Sequence, residues 1–157
     1  VVDDAAVLKG LAVGQLHAYV TDFPAADLLR VPGVIALPHL GASTREAEDN
    51  CAIIVVDELR EYLEHGNVLN AVNFPDTVMA RESPFRVAIA NANMPNMLAR
   101  ISESMGGAGL NIHNMINKSK GEIAYTLVDV DSAVPAAVVE RLRATGGVLA
   151  VRYLPAE

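Results

Sequence analysis

Apolar positions come in short runs broken by turn residues over 1–41, and recur at helical spacing over 43–65. They thin out over 67–84 and take up a strand–helix–strand rhythm from Phe85 onward. Asp4 to Val13 carries Ala6, Val7 and Leu11 on one helical face, with Gly14 where a helix would stop. His17 to Val20 and Gly33 to Leu37 read as short apolar strands of the kind buried in a parallel sheet. The loop Asp22-Phe23-Pro24-Ala25-Ala26-Asp27 lies between them. Strands alternating with helices predict an α/β layer arrangement, but two strands are too few to make a sheet of that kind. Residues 1–66 therefore read as the tail of a larger domain.

The pattern over 43–65 predicts one long helix. Ser43 and Glu46 have capping-box spacing, and Glu46, Glu48 and Asp49 put negative charge where the helix dipole favours it. Ala47, Cys51, Val55, Leu59 and Tyr62 form an apolar stripe that calls for a partner surface, and Gly66 closes the helix. Asn67 to Pro84 has little period and several Asn, Pro and Asp turn signals, so 67–84 reads as a linker.

A second unit is expected over 85–157. Phe85, Val87 and Ile89 alternate as a strand does, and Pro95 to Gly106 places Met97, Leu98, Ile101 and Met105 at helical spacing. Leu110 to Ile116 and Glu122 to Val130 read as strands around a solvated turn that includes Lys118, Ser119 and Lys120. Ser132 is placed to cap a helix carrying Val134, Val138 and Leu142, and Val148 to Leu154 reads as a last strand. The order βαββαβ gives an antiparallel four-stranded sheet with both helices on one face, a ferredoxin-like arrangement.

Composition narrows the choice of partner. The chain has 157 residues, with 12 basic against 19 acidic side chains and a formal charge of −7. That balance argues against nucleic acid or an anionic membrane as partner. No stretch approaches the roughly 20 apolar residues of a membrane span. The N-terminus has no basic region leading into an apolar run, so it does not read as a signal peptide. It also lacks Met, as a segment of a longer chain would. Cys51 stands alone, which excludes a disulfide framework and a thiolate metal site and points to the cytoplasm.

Two clusters could carry chemistry. In Pro38-His39-Leu40-Gly41-Ala42-Ser43-Thr44, His39 lies just past an apolar strand and just before a helix, the edge where open parallel sheets bind ligands. An imidazole there could exchange a proton near neutral pH. Position alone, however, favours an ordinary loop histidine. The second cluster is Asn91-Ala92-Asn93-Met94-Pro95-Asn96 together with Asn111. Asn amides and carbonyls suit the carboxylate and ammonium of an amino acid, and equally suit plain turns. His17, His65 and His113 have no acidic or Cys partner at metal spacing, so no metal is expected.

Val1 to Leu8, Thr21-Asp22-Phe23-Pro24, the string Pro38 to Glu48 and Asn73-Phe74-Pro75 follow one another in an order that resembles the carboxyl-terminal part of D-isomer-specific 2-hydroxyacid dehydrogenases, in their phosphoglycerate-oxidising branch. The tail resembles an ACT domain, an amino-acid-sensing module. These resemblances imply a remnant of a Rossmann-like domain, a connecting helix and a regulatory ACT unit. They imply NAD as cofactor, 3-phosphoglycerate as substrate, L-serine as effector, and a homodimer or tetramer.

By the same resemblance, His39 matches the catalytic acid/base and Asp22 the residue that holds the nicotinamide carboxamide. The carboxylate that supports the imidazole, normally Glu, has no Glu counterpart here; Asp27 is the nearest candidate, and Asp22 could serve both purposes. Asn93 and Asn111 match effector-contacting positions, and Asn91 a position often held by His. Asn96 departs from the Gly usual there and narrows the expected pocket. No Gly-x-Gly-x-x-Gly occurs, so this stretch alone is expected to bind NAD poorly and be inactive. A stand-alone amino-acid-binding module and a different 2-hydroxyacid dehydrogenase are the alternatives.

Overall fold

The computed structural model describes residues 2–155. The chain divides into two compact units between Ala52 and Ile53, inside its longest helix.

The first unit opens with helix α1 (Asp4–Ala12), started by the Asp3 carboxylate accepting from the amides of Ala5 and Ala6. Strands β1 (Tyr19–Thr21) and β2 (Val34–Ala36) pair in parallel with Tyr19 opposite Val34. Both are shorter than their apolar runs, and the expected burial is not realised: Val20 and Ile35 are exposed. A two-stranded layer has no neighbouring strand or second covering layer to remove those side chains from water. Helix α2 (Arg45–Arg60) runs into a single π turn, Glu61–His65, and stops at Gly66 with φ +72°. Its start corrects the expected capping box. Ser43 does not cap; the Thr44 hydroxyl, adjacent to the first helical residue, accepts from the Ala47 amide at 3.2 Å. None of the α2 side chains is buried among the described residues.

The second unit is an antiparallel sheet of β3 (Phe85–Ala92), β4 (Ile112–Lys120), β5 (Ile123–Val130) and β6 (Val148–Pro155), in the order β4-β5-β3-β6. Helices α3 (Met97–Gly106) and α4 (Ala136–Ala144) follow β3 and β5. The topology is the expected βαββαβ. Strand alternation sends Val87, Ile89, Val128, Val130 and Val151 to one face, where they pack with Ile101, Met105 and Leu142 of the helices. Burying such residues contributes about 1.5–3 kcal/mol each.

Two local expectations fail here. Lys118, Ser119 and Lys120 belong to β4, and the turn is Gly121-Glu122, with Gly121 at φ +60°. Ser132 donates to Asp131 instead of capping α4, which begins four residues later behind Pro135. Proline pre-sets the φ a helix start needs, so no side-chain cap is required.

The opposite face carries Ala88, Ala90, Tyr125, Leu127 and Leu154. Residues 67–84 do more than connect. Val68 and Met79 pack on that face, Val68 and Thr77 form a bridge, and the Met79 amide donates to the Asn67 side-chain Oδ1 at 3.1 Å. The carbonyls at the end of the long helix are satisfied from the sheet and this segment: Arg152 donates to Tyr62 and Leu63, Arg81 to Glu64, Arg86 to His65, and the Tyr125 hydroxyl to Gly66. Three guanidinium groups thus meet the negative end of the helix dipole.

Candidate functional site

Parallel pairing puts the carboxyl ends of β1 and β2 at one edge. The ladder closes with Leu37 N–H donating to the Thr21 carbonyl at 2.9 Å, so Asp22 and His39 leave the sheet at the same place. The Asp22 Oδ2 lies 2.8 Å from His39 Nδ1. A neutral imidazole in that contact carries its proton on Nδ1, which leaves the Nε2 lone pair free to accept another. The Phe23 ring meets the imidazole edge-on, with centroids 5.8 Å apart. Its backbone is fixed by its amide donating to the Thr21 hydroxyl at 3.2 Å.

The His39 and Asp22 side chains are 65% and 56% exposed, so the ring is presented outward, not packed away. The arrangement is an oriented imidazole with an open face, chemically able to accept a proton at Nε2. Asp27 sits on the single 3₁₀ turn Ala26–Leu28, and no hydrogen bond or ion pair joins it to His39. The carboxylate brought to the imidazole is Asp22. Phe23 carried no expectation from the sequence beyond its motif; its one signal was adjacency to Asp22.

The asparagine cluster lies at the far end of β3. Strand alternation puts Asn91 on the same inward face as Val87 and Ile89, where it is 1% exposed, and the pairing with β6 slips between Ala90 and Asn91. Its Nδ2 donates to the Ala92 carbonyl at 2.8 Å, and the Thr126 hydroxyl donates to its Oδ1 at 3.4 Å. Asn117 Nδ2 donates in turn to that hydroxyl at 2.7 Å. Asn93 is pinned to the β4–β5 turn, its amide donating to Glu122 and its Nδ2 to Gly121, which leaves its Oδ1 free.

Asn91, Asn93, Met94, Asn96 and Asn117 surround a cavity of about 230 Å³ at the start of α3. Asn96 holds the left-handed conformation, φ +70°, and caps that helix without a side-chain bond. The first amides of α3 are therefore free for an anion. Asn111 is not among these residues. It precedes β4, whose start pairs with the end of β5, so it sits at the opposite end of the sheet, its amide donating to Asp131 Oδ1. Asn117 and Thr126 were missed because their pairing is across strands. Among the described residues, no group of three or more His, Cys, Asp or Glu is placed to hold a metal, and no helix is long and apolar enough to cross a membrane.

The class of protein defined so far is a mixed α/β chain with an imidazole–carboxylate pair at a parallel-strand edge and a ferredoxin-like second unit. No protein-family model matches the chain. Over most of its length, however, it is homologous to D-3-phosphoglycerate dehydrogenases. It is 30% identical to D-3-phosphoglycerate dehydrogenase 1 of Saccharomyces cerevisiae, over 82% of this chain and 29% of that protein. It is 27% identical to the Escherichia coli enzyme, over 96% and 39%. It is 28% identical to that of Haemophilus influenzae, over 98% and 40%. The chain thus spans well under half the length of these relatives. Among solved structures it resembles the ACT domain of a GTP pyrophosphokinase from Chlorobium tepidum, at 18% identity and TM-score 0.40, covering 45% of this chain and 95% of that one.

Proposed function

We propose that this chain supplies the proton-transfer group and the effector module of an NAD-dependent dehydrogenase that oxidises 3-phosphoglycerate to 3-phosphooxypyruvate, on the route to L-serine. The observation that carries the reading is the 2.8 Å contact between His39 Nδ1 and Asp22 at the carboxyl edge of a parallel strand pair. His39 Nε2 takes the proton of the substrate's 2-hydroxyl, Asp22 holds the tautomer and stabilises the imidazolium that results, and NAD, when bound by the whole enzyme, would accept the hydride from C2.

The residues present do not make a cradle for the cofactor's pyrophosphate: neither β1 nor β2 leads through a glycine-rich turn into a helix. We assign Asp22 to the imidazole first, which leaves the nicotinamide carboxamide a second task, and give Asp27 no part in proton transfer. The single free thiol of Cys51 suits the cytoplasm.

The effector reading is supported by the asparagine cavity. L-serine fits its chemistry: carboxylate on the open amides of α3, ammonium on the free Asn93 Oδ1. Asn111 joins only through a second copy. Antiparallel pairing of the exposed edge β4 with its twin would carry the Asn111 end of one sheet to the Asn91 end of the other. A homodimer, or a tetramer of such dimers, follows, with the effector unit over 85–157 and the segment 67–84 packed on its sheet.

Two measurements test this. NADH formation from 3-phosphoglycerate by the full-length gene product should fall about 10²–10⁴-fold in His39→Asn; unchanged turnover would overturn the catalytic part. Calorimetry with L-serine should give heat that Asn93→Ala and Asn111→Ala each remove. A stand-alone amino-acid-binding module would keep the second result with no turnover even in the wild type.

A further inference from the structure

The sheet face opposite α3 and α4 holds a cavity of about 420 Å³, walled by residues of the second unit alone. It opens to solvent beside Val55 and Leu59, and small-molecule sites span roughly 300–1,000 Å³. Its floor explains why it is there. Ala88, Ala90 and Ala150 occupy neighbouring positions of β3 and β6, with Ala90 directly opposite Ala150. Three methyl groups stand where a sheet face ordinarily carries branched side chains, and a Leu at one of them would fill part of the space.

The walls are apolar, with Leu59 from α2 on one side and Phe74 edge-on to Tyr125, 5.9 Å between centroids, on the other. Two charges of opposite sign stand on the lining. Glu58 accepts from Asn70 Nδ2 through Oε1 and has Oε2 free. Arg152, 4.4 Å above the Tyr62 ring, donates once from each terminal nitrogen to Tyr62 and Leu63, leaving three of its five N–H groups. An apolar chamber with one carboxylate and one guanidinium complements a zwitterion with an apolar side chain.

We propose that this cavity is a second ligand site, for an apolar α-amino acid: side chain against the three alanines, ammonium toward Glu58, carboxylate toward Arg152. It shares no residue with the asparagine cavity, so it stands or falls separately from the serine reading.

The test is calorimetry of the chain with L-phenylalanine and L-leucine, with light scattering on the same samples. Saturable one-to-one binding is expected, weakened at least tenfold in Ala150→Leu, whose edge-strand position is exposed, and in Glu58→Gln, while Asn93→Ala binds as wild type does. Circular dichroism and thermal midpoints check that each variant folds, and Glu58→Gln decides the matter if Ala150→Leu does not. No heat with the wild type, unchanged affinity in a folded Ala150→Leu or Glu58→Gln, or loss of binding in Asn93→Ala would each overturn the proposal. So would a dimer that Ala150→Leu dissociates with no amino acid bound, since the cavity would then belong to a second copy.

Discussion

Arg86 and Asp129 stand directly opposite each other on the central strands β3 and β5, joined by two hydrogen bonds of 2.6 and 2.8 Å, and both side chains are wholly buried. The remaining guanidinium donors reach the carbonyls of His65, Met79 and Ala80. One arginine thus ties the end of the long helix and the connector to the sheet. Removing one partner leaves an unpaired buried charge, so Asp129→Leu or Arg86→Met should cost about 3–5 kcal/mol in urea unfolding. The double variant should recover part of that loss. It should not recover all of it, because three carbonyls, that of Met79 buried and those of His65 and Ala80 part-buried, lose their donor.

The contact between Asp22 and His39 predicts a tautomer. Long-range ¹⁵N NMR above the imidazole's titration range should show His39 protonated on Nδ1, and Asp22→Ala should shift the population toward Nε2–H. Asp27→Ala should leave the spectrum unchanged. A dominant Nε2–H form in the wild type would remove the orienting role given to Asp22.

Burial of the Tyr125 ring raises its hydroxyl pKa above the ordinary 10.0, with its neighbour Tyr62 adding to the effect. Its proton is held more tightly in the folded chain than in the unfolded one. That stability is fully present below pH 10 and is lost as pH rises from there toward the folded value. The thermal midpoint should therefore fall above about pH 10. Tyr125→Phe should flatten that fall while lowering the midpoint at neutral pH, through loss of the 2.8 Å bond to the Gly66 carbonyl.

Asn96 occupies the left-handed region with nothing bonded to its side chain as a cap. A β-branched residue there pays the left-handed penalty of roughly 1–2 kcal/mol. Asn96→Val should lower stability by that amount, measured by denaturant titration, and Asn96→Gly should be close to neutral. If the asparagine cavity binds L-serine, Asn96→Gly should bind it at least as well, since the substitution widens the entrance.

The amino-acid pattern alone determined which segments form strands and helices in the second unit. Val87 and Ile89 alternate, Ile101 and Met105 recur at helical spacing, and both periods follow from where Cβ points along each backbone. It also singled out His39 and Asn91 by their place at strand ends. Caps and turns were legible only in part: Thr44 and Pro135, not Ser43 and Ser132, start their helices, because several neighbouring residues can cap and only the folded backbone chooses among them. The tertiary structure alone decided that Asp22 and not Asp27 meets the imidazole, that Arg86 finds Asp129 forty-three residues away, and that Asn111 lies at the opposite end of the sheet from Asn91. Strand register and the meeting of distant loops are set by the packing of the whole unit, and local periodicity carries no record of either.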